Sequence, residues 1–144
     1  MAASIIENSG GHLKKIFLFK FLGYYYEENF NENSLNFIRK IGEHCPSIEY
    51  LTLAFSPTKE HYTEVEKLLK VCQKLKSLIL LITYNVNKKE TFEKILENRA
   101  ELLKTLIRSA PTSLREIKFF NDFRFSLQAL EEFLKSGKVG LHFL

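Results

Sequence analysis

The sequence has no tryptophan, one methionine, three prolines, six glycines and two cysteines in 144 residues. Two cysteines cannot build the multi-bridge framework on which small secreted folds depend. Cys45 and Cys72 each stand three residues ahead of a similar apolar block, which implies matching core roles rather than a bond between them. A reducing compartment follows as the expectation, cytoplasm or nucleus. No apolar run approaches the roughly 18 residues needed to cross a bilayer, and the N-terminus lacks the basic, apolar and small-residue succession of a secretory leader. The few glycines form no phosphate cradle, since neither G-x-G-x-x-G nor G-x-x-x-x-G-K-[ST] occurs.

Charge of one sign is also scarce: 21 Lys and Arg stand against 17 Asp and Glu, for a net +4. The two signs interleave, as from Lys88 to Lys104, which reads as solvated helix surface rather than a nucleic-acid footprint. A pI near 9.0 keeps a basic nucleic-acid-binding repeat protein as the alternative. His12, His44, His61 and His142 fall at no metal-ligand spacing, and His44-Cys45 are chain neighbours pointing different ways. Glu27-Glu28 and Glu131-Glu132 are adjacent pairs rather than converging dyads, and no nucleophile elbow occurs. Neither catalysis nor a metal or cofactor is expected.

What is present is a recurrence. Leu13-Lys14-Lys15-Ile16-Phe17-Leu18, Ile48-Glu49-Tyr50-Leu51-Thr52-Leu53, Leu75-Lys76-Ser77-Leu78-Ile79-Leu80 and Leu114-Arg115-Glu116-Ile117-Lys118-Phe119 each carry large apolar side chains at offsets zero, three and five. They begin 35, 27 and 39 residues apart, within the range of strand-plus-helix repeats. The β-branched and aromatic content predicts four parallel strands, and Val139-Gly140-Leu141-His142-Phe143 offers a weaker fifth because of its glycine.

Between the blocks the apolar period lengthens to that of a helix. Val65, Leu68, Leu69 and Cys72 share one face behind Ser56-Pro57, read as cap and first helical residue. Phe92, Ile95, Leu96, Leu102, Leu103, Leu106, Ile107 and Ala110 form a stripe behind Asn87 and Glu90 at capping-box spacing, as one helix or two. Ile38, Ile41 and Cys45 mark a helix after Asn33-Ser34. Leu127, Leu130, Phe133 and Leu134 mark another after Ser126, with Gly137 as its stop. Residues before Gly11 suffice for the end of a preceding helix. A single domain over 1–144 is predicted: an α/β right-handed solenoid of about four repeats plus incomplete terminal ones, with a parallel sheet on the concave side and helices on the convex side. Uncapped ends of such a stack are candidate association surfaces. They equally suit a fragment, or a truncated relic without activity of its own.

The blocks resemble leucine-rich repeats, and more narrowly the cysteine-containing, ribonuclease-inhibitor-like type. The match is clearest in His44-Cys45-Pro46-Ser47-Ile48-Glu49-Tyr50-Leu51-Thr52-Leu53 and again in Val71-Cys72-Gln73-Lys74-Leu75-Lys76-Ser77-Leu78. Together with Leu68-Leu69-Lys70-Val71-Cys72 and Ser109-Ala110-Pro111-Thr112-Ser113-Leu114-Arg115-Glu116-Ile117, the phrasing is similar to the repeat region of fungal F-box proteins. In that family an F-box docks to the adaptor of a cullin-RING ubiquitin ligase and the repeats select the substrate. The resemblance implies a non-enzymatic substrate receptor. No Leu-Pro-rich F-box opening precedes Leu13, and Phe21, Ser56, Thr83 and Asp122 stand where the consensus has Asn or Cys.

If offsets zero, three and five face the core, alternation turns offsets two, four and six to the open side. These are Lys15, Phe17 and Phe19; Tyr50, Thr52 and Ala54; Ser77, Ile79 and Leu81; Glu116, Lys118 and Phe120. Phe19, Ala54, Leu81 and Phe120 make an apolar row, expected either to meet a protein partner or to be covered by the chain's own loops. Tyr24, Tyr25 and Tyr26 are a second candidate contact.

Overall fold

The structure is a computed structural model, described here for residues 2–17, 30–82, 90–120, 125–137 and 139–143. Strands and helices alternate: α1 (Ala2–Glu7), β1 (Lys15–Ile16), α2 (Phe30–His44), β2 (Tyr50–Phe55), α3 (Lys59–Val71), β3 (Ser77–Ile82), α4 (Phe92–Ser109), β4 (Glu116–Phe119), α5 (Leu127–Lys135) and β5 (Gly140–Phe143). Each of the four blocks contributes a strand, and the weaker fifth segment contributes another. The helical stripe after Asn87 forms one helix.

Three helices start in the same way. The hydroxyls of Thr58, Thr91 and Ser126 accept the backbone N–H of His61, Lys94 and Ala129 at 3.2, 3.3 and 3.2 Å, satisfying donors that a helix start leaves open. Ser126 was expected in this role. The other two caps correct the sequence reading: Thr58, rather than Ser56, reaches the N–H three residues on, and Thr91 displaces the Asn87–Glu90 box, whose Asn87 lies outside the described residues. Ser34 stands inside α2, its hydroxyl donating back to the Asn31 carbonyl at 3.0 Å. At the far end, Gly137 takes φ +62° just beyond α5, a conformation that favours glycine.

A tight turn precedes three of the strands. Ile48, Leu75 and Leu114 each donate their backbone N–H to the carbonyl three residues back, on Cys45, Cys72 and Pro111, at 3.2, 3.3 and 3.0 Å. The chain therefore enters each strand in the same pose. The next step repeats as well: the carbonyls of Lys14, Glu49, Lys76 and Arg115 accept from the N–H of Tyr50, Ser77, Glu116 and Gly140 at 3.0, 3.2, 3.4 and 3.0 Å. One backbone atom per block thus sets the register of the strand that follows.

The result is a five-stranded, all-parallel sheet in the order β1-β2-β3-β4-β5. Parallel strands that always step to the next neighbour, joined by crossovers of the one hand that such connections adopt, call for the helices on one face. The packing agrees, with each helix against its successor. Leu51, Leu53 and Phe55 of β2, Leu78 and Leu80 of β3, and Ile117 and Phe119 of β4 are buried in one cluster with Ile38, Ile41, Val65, Leu68, Leu69, Leu102, Leu103 and Leu106 of the helices. Leu141 of β5 packs against it. Burying each such side chain contributes about 1.5 to 3 kcal/mol.

Two parts of the apolar pattern are not buried. Phe92 at the start of α4 is exposed, and on α5 Phe133 is buried while Leu127 and Leu134 are 74% and 62% exposed. Among the described residues α5 has a helical neighbour, α4, on one side only, so half of its stripe has nothing to pack against.

A corner of hydroxyls and one imidazole ties the helix starts to the end of β2. His61 is buried and stacks on Phe55 with ring centroids 5.7 Å apart and planes 12° from parallel. Ser34 Oγ lies 2.7 Å from its Nε2 and Thr58 Oγ1 lies 2.6 Å from its Nδ1. Because the Ser34 hydroxyl is donated to Asn31, Nε2 carries the proton and Nδ1 accepts from Thr58. Toward α4, the Tyr62 hydroxyl donates to Asn98 Oδ1, and Asn98 Nδ2 donates to the Pro57 carbonyl at 2.9 Å.

Candidate partner-binding face

The face of the sheet away from the helices brings the expected side chains together in rows set by the strand register. Lys15, Tyr50, Ser77 and Glu116 are successive partners across β1 to β4, with Gly140 next in line on β5. Thr52, Ile79 and Lys118 form the second row, extended by His142, and Ala54 and Leu81 a third. Phe17 and Phe120 lie just past β1 and β4. Phe19 and Tyr24 to Tyr26 lie outside the described residues. At about 4.8 Å per strand, the five strands span roughly 19 Å.

Burial divides this face. Ala54 and Leu81 are 6% and 7% exposed, and Thr52 and Ser77 are also buried. The middle of the expected apolar row is thus covered by the chain itself rather than open. Alternation along a strand assigns a side chain to a face and does not encode what lies over it. Phe17 and Phe120 stay accessible at 45% and 39%, and Ile79 and Tyr50 are half-buried. The Thr52 hydroxyl is buried and has no hydrogen-bond partner among the described residues.

The first row is polar and partly paired. The Lys15 ammonium stands 5.0 Å from the centre of the Tyr50 ring, a cation–π contact. Glu116 accepts from the Ser77 hydroxyl at 2.9 Å and pairs with Lys118 at 3.1 Å; these two contacts hold its carboxyl below the usual range.

The sequence reading missed the charged rim beside this row. Offset one of the four blocks is charged every time, as Lys14, Glu49, Lys76 and Arg115, and that signal was visible in the blocks themselves. Lys76 and Glu49 pair at 2.6 Å, which lowers the Glu49 carboxyl and raises the Lys76 ammonium. Lys14, Lys15 and Arg115 are exposed and form no salt bridge among the described residues.

The helical layer contrasts with the rim, because several of its charges serve each other. Arg39 of α2 pairs with Glu64 of α3 at 3.2 Å, and Arg108 of α4 grips both oxygens of Glu66 on α3 at 3.0 and 3.1 Å. Hydrogen bonds from Arg108 and then Lys70 pull the Glu66 carboxyl down to about 2.

Among the described residues, no three His, Cys, Asp or Glu side chains are grouped to hold a metal, and no helix is long and apolar enough to cross a membrane. Compared with models of known protein families and with curated protein sequences, the chain matches none.

Proposed function

We propose that this chain is a leucine-rich-repeat solenoid that recognises a protein segment on its helix-free sheet face, without catalysis of its own. By the resemblance of its blocks it is the substrate-selecting part of an F-box-type ubiquitin ligase subunit. The repeat assignment is supported by the recurrent turn at Cys45, Cys72 and Pro111 and by the recurrent carbonyl ladder. Two buried, unbridged cysteines suit a cytoplasmic or nuclear setting.

The observation that carries the binding reading is a sheet face, clear of helices, on which Phe17 and Phe120 stand accessible with Ile79 half-buried between them. Apolar side chains gathered on an exposed surface favour a partner. The test is affinity purification with the chain and with its Phe17→Asp, Ile79→Asp, Phe120→Asp form. A protein held by the first and lost by the second supports the reading, and co-recovery of a cullin-RING adaptor supports the ligase role. Partners indifferent to those substitutions contradict it.

A further inference from the structure

The chemistry of that partner follows from how charge and apolar surface are arranged along the strands, an argument that rests on the docking reading above. Among the described residues, three cationic side chains on this side of the strands have no salt bridge, Lys14, Lys15 and Arg115, and they sit where the strands begin. The apolar side chains of this face, accessible at Phe17 and Phe120 and half-buried at Ile79, sit further along. Two residues (Lys15 to Phe17) to five (Arg115 to Phe120) at about 3.3 Å each separate the two zones, roughly 7 to 16 Å. An α-helix with its side chains is about 10 to 12 Å across, so one helix laid across the strands spans both zones at β1 and most of the distance between them at β4. From β1 to β4 the rim runs three strand spacings, about 14 Å, the length of some nine or ten helical residues.

We infer that the face takes an acidic amphipathic helix, seated across the strands with carboxylates over Lys14, Lys15 and Arg115 and its apolar stripe over Phe17, Ile79 and Phe120. A polyphosphate backbone fits less well. Glu49 in the rim just ahead of β2 and Glu116 in the first row on β4 interrupt the positive charge, so a continuous row of phosphates would meet anions there, whereas a peptide can place its carboxylates at the two ends alone.

The test uses the whole chain and three labelled probes. These are a helical peptide of about 14 residues with a Glu flank beside a Leu stripe, its twin with Lys in place of Glu, and a single-stranded RNA of similar negative charge. The acidic peptide is expected to bind at least about tenfold tighter than the twin, and Lys14→Glu, Lys15→Glu, Arg115→Glu to reverse that order. All three substituted side chains are exposed, and unchanged melting curves verify the fold. Equal binding of the two peptides, if lost with Phe17→Ser and Phe120→Ser, overturns the acidic inference and leaves the docking reading standing. Peptide binding indifferent to both sets of substitutions, or no peptide binding, overturns both. RNA binding tighter than the acidic peptide and surviving about 200 mM salt overturns both in favour of a nucleic-acid partner.

Discussion

The Cys72 thiol points at the backbone carbonyl of Cys45, 3.6 Å away, with both side chains fully buried. The two residues occupy the same place in successive blocks, so the contact joins one turn to the equivalent turn before it. Burial, and then the neighbouring Cys45, pushes the Cys72 thiol up to about 12, and burial raises Cys45 as well. Neither is a thiolate at neutral pH, and the thiolate is the reactive form. Iodoacetamide at pH 8 is therefore expected to leave both unmodified in the native chain and to label both in denaturant. Labelling of the native chain at the rate of an exposed cysteine would place these turns at the surface.

His61 makes stability depend on pH. Its burial lowers its basicity below the usual histidine value; the Asn31 carbonyl and Glu60 oppose this, and Arg39 reinforces it. The unfolded chain thus binds the proton more readily than the folded one. The stabilisation is complete above about pH 6.5 and declines as pH falls below it toward the folded value. Unfolding free energy is expected to rise from pH 5 to pH 7 and His61→Gln to flatten that rise. At pH 7 the variant loses about 1 to 3 kcal/mol through the two broken hydroxyl contacts. Denaturant titrations across that range check both; an unchanged slope would contradict the assigned tautomer and burial.

Thr52 offers a gain instead. A buried hydroxyl without a partner costs about 1 to 3 kcal/mol in desolvation, and valine has nearly its shape. Thr52→Val is expected to raise the melting temperature by a few degrees. A drop would show that the hydroxyl is satisfied.

The sequence shows the strands clearly because apolar residues at offsets three and five must face one core, and it therefore shows which side chains share the opposite face. Local chemistry was ambiguous where several residues could do one job. In Ser56-Pro57-Thr58 either hydroxyl can cap a helix, and only the reach of Thr58 to the His61 N–H decides. Gly140 weakened the fifth strand in the sequence, yet a Cβ there would stand 3.2 Å from the Arg115 carbonyl, so the glycine suits the close strand pairing. The burial of Ala54 and Leu81 was not legible, because alternation along a strand tells which face a side chain takes and not what lies over that face.

Under the docking proposal, adjacent residues of the central strand take opposite roles: Leu78 holds the helices to the sheet, and Ile79 faces the partner. Measuring melting temperature and acidic-peptide affinity for Leu78→Ala and Ile79→Asp tests this most directly. Leu78→Ala is expected to cost about 2 to 5 kcal/mol of stability. Ile79→Asp is expected to keep most of the stability and lose at least about tenfold in affinity. Equal losses of stability at the two positions, or full affinity with Ile79→Asp, would contradict it.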